Sequence, residues 1–202
     1  MNINKRAIGP DWLAVDWGTT HLRIWLLDAR GHILAEARDD SGMATLSSDQ
    51  FYARFTRLAA PFLSPDKVIP VLACGMIGAK QGWHEAPYIT APFSAPGLED
   101  AHKIETRDER FSLYILPGVK QTHPADVMRG EETQIAGFLS QNPSFDGVLC
   151  LPGTHTKWVR ISAEEIVSFQ TFMTGEMCSL LSETSVLKHS IASSGWHKGA
   201  FL

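Results

Sequence analysis

Two stretches of this 202-residue chain echo one another, and the echo limits the folds open to it. "LAVDWGTTHLRIW" begins at Leu13 and "VLCLPGTHTKWVRI" begins at Val148. Each reads as an apolar strand, a Gly-Thr turn, polar residues, a basic residue and a second apolar strand, with Gly18-Thr19 and Gly153-Thr154 lying 135 residues apart. A repeat at that distance predicts two similar half-domains rather than a solenoid. The copies differ at one telling position, since Leu151 stands where the first copy has Asp16.

The rest of the pattern predicts an α/β order. Strands are expected at 12–17, 22–28 and 32–38, joined by tight turns. Ser47 and Gln50 suggest a capping box for a helix whose apolar face carries Phe51, Phe55, Leu58, Ala59 and Phe62, with Pro61 tightening its last turn. "KVIPVLACGM" predicts a buried strand, in which Pro70 marks an irregularity or an edge. Residues 75–110 read as a long functional excursion. Next come a strand in "RFSLYILPG" and a helix from Met128 to Gln141, with Ile135, Phe138 and Leu139 inward and Asn142-Pro143 closing it. Strands at 147–151, 157–161 and 165–172 precede a helix from Gly175 to Lys188.

Net charge is −4, so nothing points to nucleic acid through bulk electrostatics. The apolar runs are too short and interrupted for a membrane span. "MNINKRAIGPDW" lacks the apolar core of a signal peptide, which predicts the cytoplasm. Cys74, Cys150 and Cys178 are widely spaced and read as reduced, mostly buried thiols. The eight histidines form no ligand-like pattern, so a dedicated zinc site is not expected.

The chain has no Walker pattern, yet a strand–turn–strand hairpin can also hold phosphate. Successive backbone N–H groups in a tight turn form an anion nest, and glycine lets a phosphate approach the backbone. Thr hydroxyls add donors, Arg23 a charge-assisted contact, and Asp16 can hold a hydrated Mg²⁺. Two such hairpins facing across a cleft would cradle a triphosphate. The plain alternative is a polar hairpin with a satisfied Asp and a surface Arg.

"DWGTTHLRIWLLD" resembles the first phosphate motif of the sugar kinase, actin and heat-shock ATPase superfamily. The chain as a whole resembles the 2-dehydro-3-deoxygalactonokinase family. The carrying segments, in the family's order, are that motif, "CGMIGAKQGWHEAPYITAP", "LPGVKQTHPADVMRGEETQIAG", "LPGTHTKWV" and "FMTGEM". The resemblance implies ribonuclease-H-like (actin-like ATPase) domains with ATP and a sugar acid between them. Asp16, Gly18, Thr19, Thr20 and Arg23 match the first phosphate motif, and Gly153, Thr154, His155, Thr156 and Lys157 the second. For Lys157 an exposed strand charge is the alternative.

A kinase of this type needs a carboxylate near the acceptor hydroxyl. "MRGEETQ" supplies two at a predicted helix start, where one at least can be a mere complement to the helix dipole. Likeness to superfamily phosphatases with a "G-x-E-E" helix start ranks Glu131 first, Glu132 second and Asp126 third. The sugar-acid pocket would use Gly75, Met76, Gly78 and Gly82, with Trp83 as an apolar wall. Arg129, Lys80 or His84 could pair with the substrate carboxylate, Arg being best suited to a bidentate contact.

The departure from the family is length. Members are longer, and the glycine-rich adenosine motif expected downstream is not in this chain, which ends "SSGWHKGAFL". The expected layout is a first domain over 1–143 and an incomplete second over 144–202, apparently truncated at its C-terminus and with apolar surface uncovered. The expected activity is ATP- and Mg²⁺-dependent phosphorylation of the 6-hydroxyl of 2-dehydro-3-deoxy-D-galactonate in cytoplasmic galactonate breakdown. A kinase for another 2-keto-3-deoxy sugar acid, and an inactive sugar-acid-binding remnant, stay open, with a phosphohydrolase more distant. The expected partners are the sugar acid and ATP, with no nucleic acid or membrane, and a homo-oligomer is left open.

Overall fold

The opening hairpins form as the alternation demands. In the computed structural model, which describes residues 9–191, β1 (Trp12–Trp17), β2 (Leu22–Leu27) and β3 (Ile33–Asp39) make an antiparallel meander. Leu13, Val15 and Trp17 point into the core, so Asp16 faces the other side, opposite Arg23 in the register. Helix α1 (Gln50–Ala59) covers the inner face with Phe51, Phe55 and Ala59. Only half of the expected capping box forms. The Gln50 side chain accepts from the Ser47 N–H at 2.9 Å, but the Ser47 hydroxyl turns to Asp49. Pro61 lies in the one-turn 3-10 helix that ends α1.

β4 (Ile69–Gly75) runs parallel to β1, and it is an interior strand, not an edge. Pro70 is tolerated because pairing with β1 begins only at Val71. The excursion over 75–110 contains three short strands that the sequence reading missed: β5 (Tyr88–Thr90), β6 (Phe93–Ser94) and β7 (His102–Ile104). β8 (Phe111–Ile115) follows as expected, then an unforeseen hairpin of β9 (Gly118–Thr122) and β10 (Ala125–Met128). The chain continues through α2 (Glu131–Gln141), β11 (Gly147–Leu151), β12 (Thr156–Ser162), β13 (Glu165–Phe172) and α3 (Thr174–Glu183). α3 is shorter than expected, and a separate 3-10 turn occupies Val186–His189.

Among the described residues the strands form three sheets, ordered β3-β2-β1-β4-β8-β7, β10-β9-β5 and β11-β12-β13-β6. One core joins the first sheet to α1. A second gathers Val119, Met128, Ile135, Val159, Ile161, Ile166 and Phe169, so α2 and the β9-β10 hairpin pack with the third sheet. The cysteine expectation is corrected. Cys74 is half-buried, but Cys150 and Cys178 are exposed, Cys150 because it shares the outward face of β11 with Val148. The expected uncovered apolar surface is present, with Val148, Trp158, Phe172, Met177 and Leu180 each about half exposed. No helix among the described residues is long and apolar enough to cross a membrane. The final "SSGWHKGAFL" and the first eight residues lie outside the described range.

Candidate functional site

The carboxyl ends of β1 and β4 lie side by side, where α/β sheets usually present their ligands. A cavity of about 340 Å³ opens there. Asp16, Gly18 and Thr19 of the first hairpin and Gly153, Thr154, His155 and Lys157 of the second line the same cavity. Gly75, Met76, Tyr88, Arg129, Gly130 and Glu131 are also in its lining.

The first hairpin is braced from behind. The carbonyls of Gly18, Thr19 and Thr20 accept from the N–H groups of Met43, Ala44 and Gly42 at 2.9–3.0 Å. A Cβ on Gly42 would stand 2.2 Å from the Thr19 carbonyl oxygen, so only glycine permits this approach. The second hairpin is held by the start of α3. The Glu176 N–H reaches the Thr154 carbonyl at 3.0 Å, and His155 Nε2 meets the Glu176 carboxylate at 2.5 Å.

Gly18 and Gly153 themselves are a different case. A Cβ on either would meet nothing closer than 3.9 Å, and neither has a positive φ. Neither packing nor backbone conformation requires glycine there, and both positions open on the same cavity.

The floor is glycine for another reason. Gly75 has φ 91° and ψ −158°, and its Cβ would stand 2.8 Å from the Trp17 carbonyl oxygen. Gly130 has φ 111°, and its Cβ would lie 3.3 Å from Gly75 Cα. Gly75→Ala is therefore expected to cost about 1–3 kcal/mol, seen as a lower urea midpoint.

The chain from Asp16 to the last residue, 16–202, matches the family model described as 2-keto-3-deoxy-galactonokinase. It belongs to the 2-keto-3-deoxy-galactonokinase family. It is 39% identical over 184 residues to a Rhizobium meliloti (strain 1021) protein described as a 2-dehydro-3-deoxygalactonokinase, with 90% of this chain covered. It is 34% identical over 188 residues to the 2-dehydro-3-deoxygalactonokinase of Escherichia coli (strain K12), with 91% covered. Among solved structures, a Sinorhizobium meliloti protein described as a 2-dehydro-3-deoxygalactonokinase superposes with a TM-score of 0.81 at 38% identity, covering 91% of this chain and 60% of that one. The chain spans 59% of the length of each of the two curated relatives.

Within this member of the galactonokinase family, the cavity divides the expected residues. Glu131 lies on its wall, accepting from the Arg129 N–H at 3.1 Å, and burial raises its pKa. Glu132 is fully buried outside the lining, with both oxygens 2.7 Å from the Gly130 N–H, and burial pushes its pKa up to about 8. Asp126 is also outside, accepting from the Thr171 hydroxyl at 2.7 Å. Lys157 is not an exposed strand charge. It is 5% exposed, and its Nζ donates to the Val127 carbonyl at 2.8 Å and to Thr171 Oγ1 at 2.6 Å.

Several expected roles move. Arg23 is committed to Asp16, with Nη1 2.9 Å from Oδ2, and does not line the cavity. Thr20 is exposed and outside the lining, and Thr156 is buried with its hydroxyl on that of Thr174. Trp83 is no pocket wall. It packs edge-on against Trp17 and tilted against Phe55, within the first core. Gly78 makes room for Arg129, since its Cβ would stand 2.7 Å from Nη1, and the Cβ of Gly82 would strike the Ile77 carbonyl at 2.2 Å. Lys80 and His84 are exposed and outside the lining. Arg129 is 8% exposed, stacks 4.2 Å over Tyr88 and donates to the Ala86 carbonyl at 2.8 Å. Its buried Nη1 has no partner among the described residues. Gly42, Tyr88 and Thr171 were missed because their partners are distant in sequence.

Among the described residues no three His, Cys, Asp or Glu side chains gather as a metal cage. Magnesium needs none, since it keeps most of its waters and takes one or two carboxylates plus phosphate oxygens. Asp16, a hard oxygen donor on the cavity wall with one oxygen taken by Arg23, fits that demand.

Proposed function

We propose that the chain is the phosphate- and sugar-acid-binding part of an ATP-dependent kinase that phosphorylates the 6-hydroxyl of 2-dehydro-3-deoxy-D-galactonate, in cytoplasmic galactonate breakdown. One observation carries the reading. Gly18 and Gly153, from echoing hairpins, leave empty room on one cavity that neither packing nor φ explains. Phosphate oxygens reaching the backbone N–H groups account for both.

In this reading the hairpins grip the phosphates from two sides, and Lys157 adds its charge to the second. Mg²⁺, held through Asp16, neutralises phosphate charge. Glu131 orients the acceptor hydroxyl and takes its proton, for which its raised pKa suits it. Arg129, on the lining beside Met76 and Tyr88, binds the sugar-acid end. Two ribonuclease-H-like units, 1–143 and 144–202, are proposed as the frame. The order β3-β2-β1-β4-β8, an antiparallel meander followed by parallel strands, supports the first.

The test separates stability from binding. Gly18→Ala and Gly153→Ala should leave thermal stability within about 0.5 kcal/mol, because the added methyl meets no protein atom. Each should weaken tripolyphosphate binding about tenfold by calorimetry, the loss of roughly one charge-assisted hydrogen bond. Unchanged binding in both would sink the clamp. A coupled ADP-release assay on a panel of 2-keto-3-deoxy sugar acids then fixes the substrate. Sugar-acid binding without turnover would favour the binding-only reading.

A further inference from the structure

We infer that Asp126 and Thr171 are positioning residues that aim Lys157, and that Asp126 takes no part in the chemistry. A hydroxyl has one hydrogen to give and two lone pairs to receive. Thr171 Oγ1 stands 2.7 Å from Asp126 Oδ1 and 2.6 Å from Lys157 Nζ. A carboxylate can only accept from Thr171 and an ammonium can only donate to it, so the order of donation is fixed. Lysine gives to threonine, and threonine gives to aspartate. The Val127 carbonyl takes a second ammonium hydrogen at 2.8 Å. Two of the three donors are thus fixed, and the third is left for the cavity that Lys157 lines.

The fold makes the relay rigid. Thr171 is the cross-strand partner of Lys157 in the β12-β13 register. Asp126 comes from β10, in the other sheet of the same core. A lysine stem is flexible, and one anchored at two donors before a ligand arrives spends less freedom on binding it. What the relay is for rests on the phosphate-clamp reading, but whether it exists does not.

Two measurements on the 202-residue chain decide the matter. The first is lysine acetylation by an activated ester, followed by peptide mass spectrometry. Lys157 should react far more slowly than exposed Lys80. Thr171→Val should speed its labelling several-fold, and Thr171→Ser, which keeps the hydroxyl, should restore protection. The second is tripolyphosphate affinity. Thr171→Val should lose about tenfold, the scale of one hydrogen bond to a charged group, and Thr171→Ser should stay within about twofold. Lys157→Met combined with Thr171→Val should bind no worse than Lys157→Met alone. Labelling of Thr171→Val at the wild-type rate, or additive losses in the double variant, would overturn the relay. If the wild type does not bind tripolyphosphate, the phosphate reading falls, and the labelling result still decides the relay.

Discussion

With Glu131 as the general base proposed above, Glu131→Gln is expected to slow phosphoryl transfer by about 10²–10⁴-fold, the usual contribution of a positioned general base. ATP affinity should stay close to wild type, because the change keeps the shape and removes only the basic oxygen. Glu131 is on the cavity wall at the start of α2, with Lys157 and His155 near enough to favour its charge. Burial outweighs them and raises its pKa, so the base begins to be lost at a higher pH than an exposed glutamate would be. The wild-type rate should therefore show an acid limb above the ordinary carboxylate range, and that limb should vanish in Glu131→Gln. Stopped-turnover kinetics across pH, beside calorimetry with ATP, make the comparison. Near-normal turnover in the variant would remove Glu131 from the mechanism.

Glu132→Gln should act on stability instead, through pH. Glu132 is fully buried and its folded pKa is about 8, against 4.5 for the ordinary side chain. A raised acid favours folding below the unfolded value and loses that contribution as pH rises through the folded one. Between pH 4.5 and 8, then, the wild type should lose stability on the order of 3–5 kcal/mol from this one group. For a chain of this size that is roughly 10 °C in Tm. Glutamine keeps an oxygen for the Gly130 N–H but cannot ionise, so Glu132→Gln should flatten the slope between pH 4.5 and 8. Equal slopes in the two proteins would defeat the account. The two neighbours are thereby separable, one read in turnover and the other in melting curves.

The parts of the fold that were legible are those whose cause is local. The period-2 pattern of 12–38 gave the meander, and the spacing of Phe51, Phe55 and Ala59 gave α1, because each strand or face is long enough to repeat. β5, β6 and β7 are two or three residues long, too short to show a period. β9 and β10 alternate only where the second core touches them. The two hairpins and the glutamate pair were visible as residue types at fixed spacing. Whether a given side chain faces the cavity was not. Arg23 is opposite Asp16 in the register and is captured by it, and Trp83 is drawn into aromatic packing with residues up to 66 positions earlier in the chain. Thr171 reaches Asp126 across 45 residues, a pairing no local pattern encodes.

The glycine floor has an evolutionary consequence. Gly75 and Gly130 meet backbone to backbone, and the added Cβ of one would lie 3.3 Å from the other's Cα. The floor therefore has no rotamers and no side-chain chemistry to vary, and a change at either residue strains the chain before it alters what the cavity accepts. Variation in what the cavity accepts is left to the side chains of its lining, such as Met76, Tyr88 and Arg129.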